Sequence, residues 1–190
     1  MKGFENYQDI QVIKEPQPGG YICQIKDAEV IVEEGKFGNF AGVMCQHLII
    51  YIDIVSGESA EYYSYINAGK INKKDYKGKL NFYFPIAWDI DSKRKLKLKV
   101  IDPIEKSNPN FTWDFNEEKL KGLYVGVLFY DREWEWKEEG LSGVTVTPYS
   151  LVSIDDIKNG NYKIKKDTKT KNNNSYSEAE RWIPPANLPF

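Results

Sequence analysis

Apolar and polar residues alternate from Tyr21 to Glu33, with Tyr21, Cys23 and Ile25 on one face and Gln24 and Lys26 on the other. A period of two marks a half-buried strand, and the turn residues Gln17-Pro18-Gly19-Gly20 launch it. The apolar run Val30–Val32 interrupts the alternation and predicts a bulge or bend. A glycine-containing loop, Glu34 to Gly42, leads to a second strand, Val43–Val55, which is apolar on both faces as a central strand is. After the turn Ser56-Gly57-Glu58-Ser59, a third strand is expected over Ala60–Ile66, carrying Tyr62, Tyr63 and Tyr65. Asn67 to Lys79 is a basic connector. Leu80–Ile86 reads either as a short aromatic strand or as the start of a helical region. Asp91-Ser92 can cap a helix running to about Lys106, which Pro103 ends or kinks. A turn at Ser107–Phe111 and a short helical turn from Asp114 to Leu120, stopped by Gly122, complete the connector. The fourth and fifth strands are Leu123–Trp136 and Val144–Val152, with Glu138-Glu139-Gly140 and Ser142-Gly143 at the hairpin tip. A helical turn, Ile154 to Gly160, closes the folded part.

Three strands, a helical connector and two further strands predict a mainly β chain. The order is that of an OB-fold-like five-stranded Greek-key barrel with a helical connector between strands 3 and 4. A β-sandwich is the alternative, since strand count alone does not separate the two. The expected organisation is an irregular leader over 1–17, an OB-like domain over 18–164 and a polar tail over 165–190. The tail is lysine- and asparagine-rich, too poor in apolar residues to fold, and ends in a hydrophobic Leu188-Pro189-Phe190.

The 27 aromatics (9 Phe, 13 Tyr, 5 Trp) among 190 residues suit a β-rich body. A formal charge of −2 provides no global attraction to phosphate, so nucleic-acid binding would need a local basic stripe. No apolar run approaches the ~20 residues that span a bilayer, and the first residues have no signal-peptide apolar region. A cytoplasmic protein without membrane partners is therefore expected. Cys23 and Cys45 are the only cysteines and read as two buried thiols.

Catalysis finds little support. His47 is the single histidine and lies among apolar strand residues, where a hydrogen-bonded structural role is expected. Two cysteines and one histidine lack metal-site spacing, and no phosphate loop, nucleophile elbow or HExxH is present, so neither metal nor cofactor is expected. Single-strand binding instead needs aromatic faces beside lysines. The candidates are Tyr62, Tyr63 and Tyr65 next to Lys70, Lys73, Lys74 and Lys77, together with Phe37 and Phe40 in the first loop. On a strand, Tyr63 and Tyr65 share one face and Tyr62 takes the other, so at least one of the three belongs to the core. Lys93, Arg94, Lys95, Lys97 and Lys99 form a phosphate track if extended and an ordinary surface if helical. Trp134 and Trp136 alternate with Glu133 and Glu135. They either form a stacking platform or cover the barrel end, and the flanking acids favour covering. Phe111 and Trp113 are expected to pin the connector to the barrel.

Several segments resemble a family of single-stranded DNA-binding proteins from the replication modules of phages of Gram-positive bacteria. They are Pro18–Ile25, Leu48–Glu58, Ile104–Trp113, Lys119–Val127 and Val152–Tyr162, in the same order, spanning most of 18–165. Residues 62–99 fall outside the matched segments. The chain's last residues are also similar to the tail of bacterial-type single-stranded DNA-binding proteins, but no aspartate cluster precedes Leu188. An aromatic anchor with a terminal carboxylate is a known form of peptide capture; a frayed terminus is the plainer reading.

The resemblance implies a phage protein of the host cytoplasm that binds single-stranded DNA without strong sequence preference. Trp182, Leu188, Pro189 and Phe190 would recruit phage or host replication and recombination proteins. Homo-oligomerisation is left open. Two other readings stand beside it: a non-enzymatic phage module that inhibits or redirects a host protein, and an aromatic-rich carbohydrate-binding β-sandwich.

Overall fold

The computed structural model describes residues 13–35, 41–86, 90–136 and 140–165. Five strands form one antiparallel sheet: β1 (Gly19–Glu34), β2 (Met44–Ile54), β3 (Lys79–Pro85), β4 (Tyr124–Trp136) and β5 (Leu141–Val152), in the order β3-β2-β1-β4-β5. β1 serves two neighbours. Its first residues, Gly19–Gln24, pair with β4, and the stretch from Cys23 to Glu34 pairs with β2. The bulge falls between Ile25 and Asp27, and Val30–Val32 stay in register opposite Leu48, His47 and Gln46. The sheet is open: β3 and β5 come close in places, but no ladder joins them among the described residues.

The expected third strand at Ala60–Ile66 is corrected. That segment forms helix α1 (Tyr62–Asn67), and the strand beside β2 is Lys79–Pro85 instead. Tyrosine favours strands, but a strand requires a neighbour with unpaired backbone groups. β3 occupies that place on β2. Buried Asp53, on β2, supplies the alternative for the tyrosine segment. Its Oδ1 accepts from the Tyr63 N–H at 3.0 Å and its Oδ2 from the Ser64 N–H at 3.1 Å, satisfying amides that a helix start leaves orphaned.

A continuous helical run follows: α2 (Ile90–Leu96), a π-helical segment (Lys97–Ile101) and α3 (Asp102–Ser107). Pro103 has no N–H to donate, and its ring crowds the preceding turn. The helix is not ended there. It widens into π turns just before the proline and resumes with Pro103 in the first turn of α3. Asn108 then ties α3 to β4: its Nδ2 donates to the carbonyls of Ile104 and Tyr124 at 2.8 and 2.7 Å, and its Oδ1 accepts from the Tyr124 N–H.

The main core lies on one face of the sheet, where Cys23, Ile25, Ile50, Leu80, Val127 and Phe129 meet Val100, Ile104 and Leu120. Each fully buried aliphatic side chain there contributes about 1.5–3 kcal/mol. Trp113 is part of this core and Phe111 packs against it, so both pin the connector as expected. A smaller cluster, Ile22, Leu128, Ile154 and Ile157, lies on the opposite face under α4 (Ile154–Asn159). α4 opens with a capping box between Ser153 and Asp156 and stops at left-handed Gly160.

Candidate nucleic-acid interface

The turn of α1 and the basic connector enclose a cleft of about 430 Å³ against β1 and β2. Its lining includes Lys26, Tyr51, Lys70, Lys73, Tyr76 and Lys77. Three elements deliver these side chains. The β1 bulge breaks the pairing register at Lys26, which reaches the cleft. Tyr51 stands on the face of β2 opposite Ile50 and Ile52, in edge contact with Tyr76 at 6.0 Å between centroids. The connector is held by Asn67, which accepts from the Lys77 N–H at 2.9 Å and donates to the Lys77 carbonyl at 3.0 Å.

The lysines are not equivalent. Lys73 pairs with Asp27, lies 5.7 Å from the centroid of the Tyr51 ring, and has its pKa raised by its bond to that carboxylate. Lys70 donates to Asn67 Oδ1 and to the Asp75 carbonyl, at 3.2 and 3.3 Å. The Lys77 ammonium has no ion pair among the described residues. Lys74 does not line the cleft. Its backbone N–H is taken by Asn72, and its carbonyl accepts from Lys79 Nζ at 2.8 Å.

Of the three tyrosines singled out in the sequence, only Tyr65 is open to solvent, at 68% exposure. Tyr62 is half-buried, 5.3 Å from the Tyr63 ring centroid. Tyr63, a stacking candidate in the sequence, belongs to the core and also lines the cleft. It is buried, stacks on Phe129 with centroids 6.2 Å apart, and lies against Gly78. Burial pushes its phenol pKa up, and its hydroxyl has no hydrogen-bond partner among the described residues. Phe37 and Phe40 lie outside the described residues, as do Trp182, Leu188, Pro189 and Phe190. The second basic stretch is helical, so Lys93, Arg94, Lys95, Lys97 and Lys99 spread around an axis, and Lys97 pairs with Asp102.

Lys26, Tyr51 and Tyr76 were not singled out as contacts in the sequence. Parity on β2 places Tyr51 on the face away from the main core, where it is buried beside Tyr76 and Lys73, and Tyr76 sits inside the lysine run; nothing local marks Lys26. Further along the same face, His47 is buried. Its Nδ1 lies 2.7 Å from Glu33 Oε1 and its Nε2 lies 2.9 Å from Asn81 Oδ1. Exposed Tyr83 stacks on it at 3.9 Å. These contacts give the histidine the hydrogen-bonded setting the sequence suggested.

On β4 the structure departs from the expected covering role for Trp134. Trp134 is 43% exposed and lies over Gly143 of β5. The Trp136 side chain lies outside the described residues.

No protein-family model and no curated protein matches the chain. Among the described residues, no helix is long and apolar enough to cross a membrane.

Proposed function

We propose that the chain is a sequence-tolerant single-stranded DNA-binding protein of phage replication or recombination, working without catalysis in the host cytoplasm. The observation that carries this reading is the cleft, where four lysines from separate parts of the chain and half-buried Tyr76 converge on one side of the sheet, with Tyr51 and Tyr63 buried in its lining. Lysines there follow the phosphates and impose salt dependence, while half-buried Tyr76 offers an aromatic face on which a base stacks at ~1–3 kcal/mol. The strand order supports an OB-like Greek-key barrel: β1 is shared between β2 and β4, and the edges β3 and β5 approach each other. The outer face of β2 and β3, where exposed Tyr83 lies and Tyr51 is buried beneath Tyr76 and Lys73, is the face such barrels use for oligonucleotides. The resemblance to phage single-stranded DNA-binding proteins points the same way. In this reading residues 165–190 form a tail whose Trp182, Leu188, Pro189 and Phe190 dock partner proteins.

The test is fluorescence anisotropy of a labelled oligo-dT of about 30 nucleotides with duplex competitor. Salt-sensitive binding that survives the competitor supports the reading; absence of binding at low salt ends it.

A second reading, a non-enzymatic module that inhibits or redirects a host protein, is favoured by one observation. The outward row of β1 carries Asp27, Glu29 and Glu33 around exposed Ile31, a surface better suited to a protein than to phosphate. It predicts no salt-dependent affinity for the oligonucleotide.

A further inference from the structure

We infer that the outer face of the β4–β5 ribbon is a second contact surface for single-stranded nucleic acid, separate from the lysine cleft; the inference rests on the strand-binding reading above. Phe129 is the last β4 residue paired with β1, opposite Gly19. From Tyr130 to Trp136, β4 pairs with β5 alone among the described residues, a two-stranded ribbon.

Alternation gives the ribbon two unlike faces. Asp131, Glu133 and Glu135 continue the inward row of Val125, Val127 and Phe129. Asp131 lies opposite Val146, which packs on the main core, and burial raises its carboxyl pKa. Tyr130, Arg132 and Trp134 form the outward row. Alternation directs the carboxylates that flank Trp134 in sequence to the reverse side, while Glu133 and Glu135 still border the shallow groove that Trp134 lines with Ser142, Gly143 and Val144.

The outward row has the chemistry of a strand track. Tyr130 meets Tyr149 edge-on at 5.1 Å, and the Lys165 ammonium lies 5.1 Å from the Tyr130 ring centroid. Arg132 is exposed and forms no ion pair among the described residues. Trp134 rests on Gly143, where a Cβ would come within 2.7 Å of indole Cζ2. Only glycine lets the indole lie this close to β5. Alternate strand residues are ~7 Å apart, a spacing successive nucleotides of an extended strand can follow. Arg132 and Lys165 would take phosphates and the aromatic faces would take bases. Positive charge on this face and negative charge on the other fix which side a polyanion approaches.

The experiment uses the full chain and the same oligo-dT. Trp134→Ala is expected to weaken binding about fivefold or more, and Trp134→Phe to stay within about twofold of wild type, as loss or retention of one stacking face requires. Arg132→Ala, an exposed change that leaves the core untouched, is expected to weaken binding and to reduce the salt slope by about 0.7. A Lys73→Ala/Lys77→Ala chain reports on the cleft. If Trp134→Ala and Arg132→Ala bind like wild type while the cleft variant is weakened, the ribbon surface is overturned and the strand-binding reading stands. If wild type does not bind, both fall.

Discussion

Asp53 Oδ1 and the Tyr63 backbone N–H are joined at 3.0 Å, a hydrogen bond that starts a helix where the local sequence favours a strand. The carboxylate is buried and also accepts from the amides of Ile54 and Ser64. Asp53→Ala leaves these donors unsatisfied beneath the cleft. A loss of about 1–3 kcal/mol is expected in urea unfolding, with weaker oligonucleotide binding because α1 carries one wall of the site.

Tyr63 and Gly78 make a second test of the same region. Gly78 has φ +72°, and a Cβ there would come 2.5 Å from Tyr63 Cγ. Gly78→Ala should cost about 2 kcal/mol or more, through left-handed strain and overpacking together. Tyr63→Phe should behave in the opposite way. It removes a buried hydroxyl without a partner among the described residues, so denaturant stability should hold or rise by up to ~1 kcal/mol. Binding should not change, because the substitution keeps the buried ring and its stack on Phe129.

Cys23 and Cys45 are both free and buried. Burial pushes the Cys23 thiol well above its ordinary pKa, so the native chain holds it neutral. Its contribution to stability is full below the ordinary thiol value and is lost as pH rises from there toward the raised folded value. A disulfide-exchange reagent at mildly alkaline pH should label neither thiol on mixing with native protein, and both in guanidinium. Prompt labelling of the native chain would place a thiol at the surface.

Much of the sheet is legible in the sequence because its determinants are local. Alternation marks β1, the double-sided apolar run marks β2, and Ser153 with Asp156 marks the start of α4. The helical turn before Gly122 and the anchoring of Trp113 are equally local. α1 is not legible, because Asp53 sits ten residues before Tyr63 and on another element. The cleft is legible only in its lysine half: Lys26 enters through a bulge whose position the apolar pattern misplaces, and Tyr51 arrives from a central strand. The exposed setting of Trp134 is a different kind of miss. Parity along β4 already separates it from Glu133 and Glu135, while adjacency in sequence suggests that the acids surround it.

The central claim is tested most directly by the salt dependence of oligo-dT affinity in wild type and in a Lys70→Ala/Lys73→Ala/Lys77→Ala chain. Each lysine that neutralises a phosphate on a single strand contributes about 0.7 to the slope of log K against log salt. The account predicts salt-sensitive binding by wild type and a slope smaller by about 2 in the variant, with the fold intact by circular dichroism. An unchanged slope and affinity in a folded variant, or no binding by wild type at low salt, would contradict it.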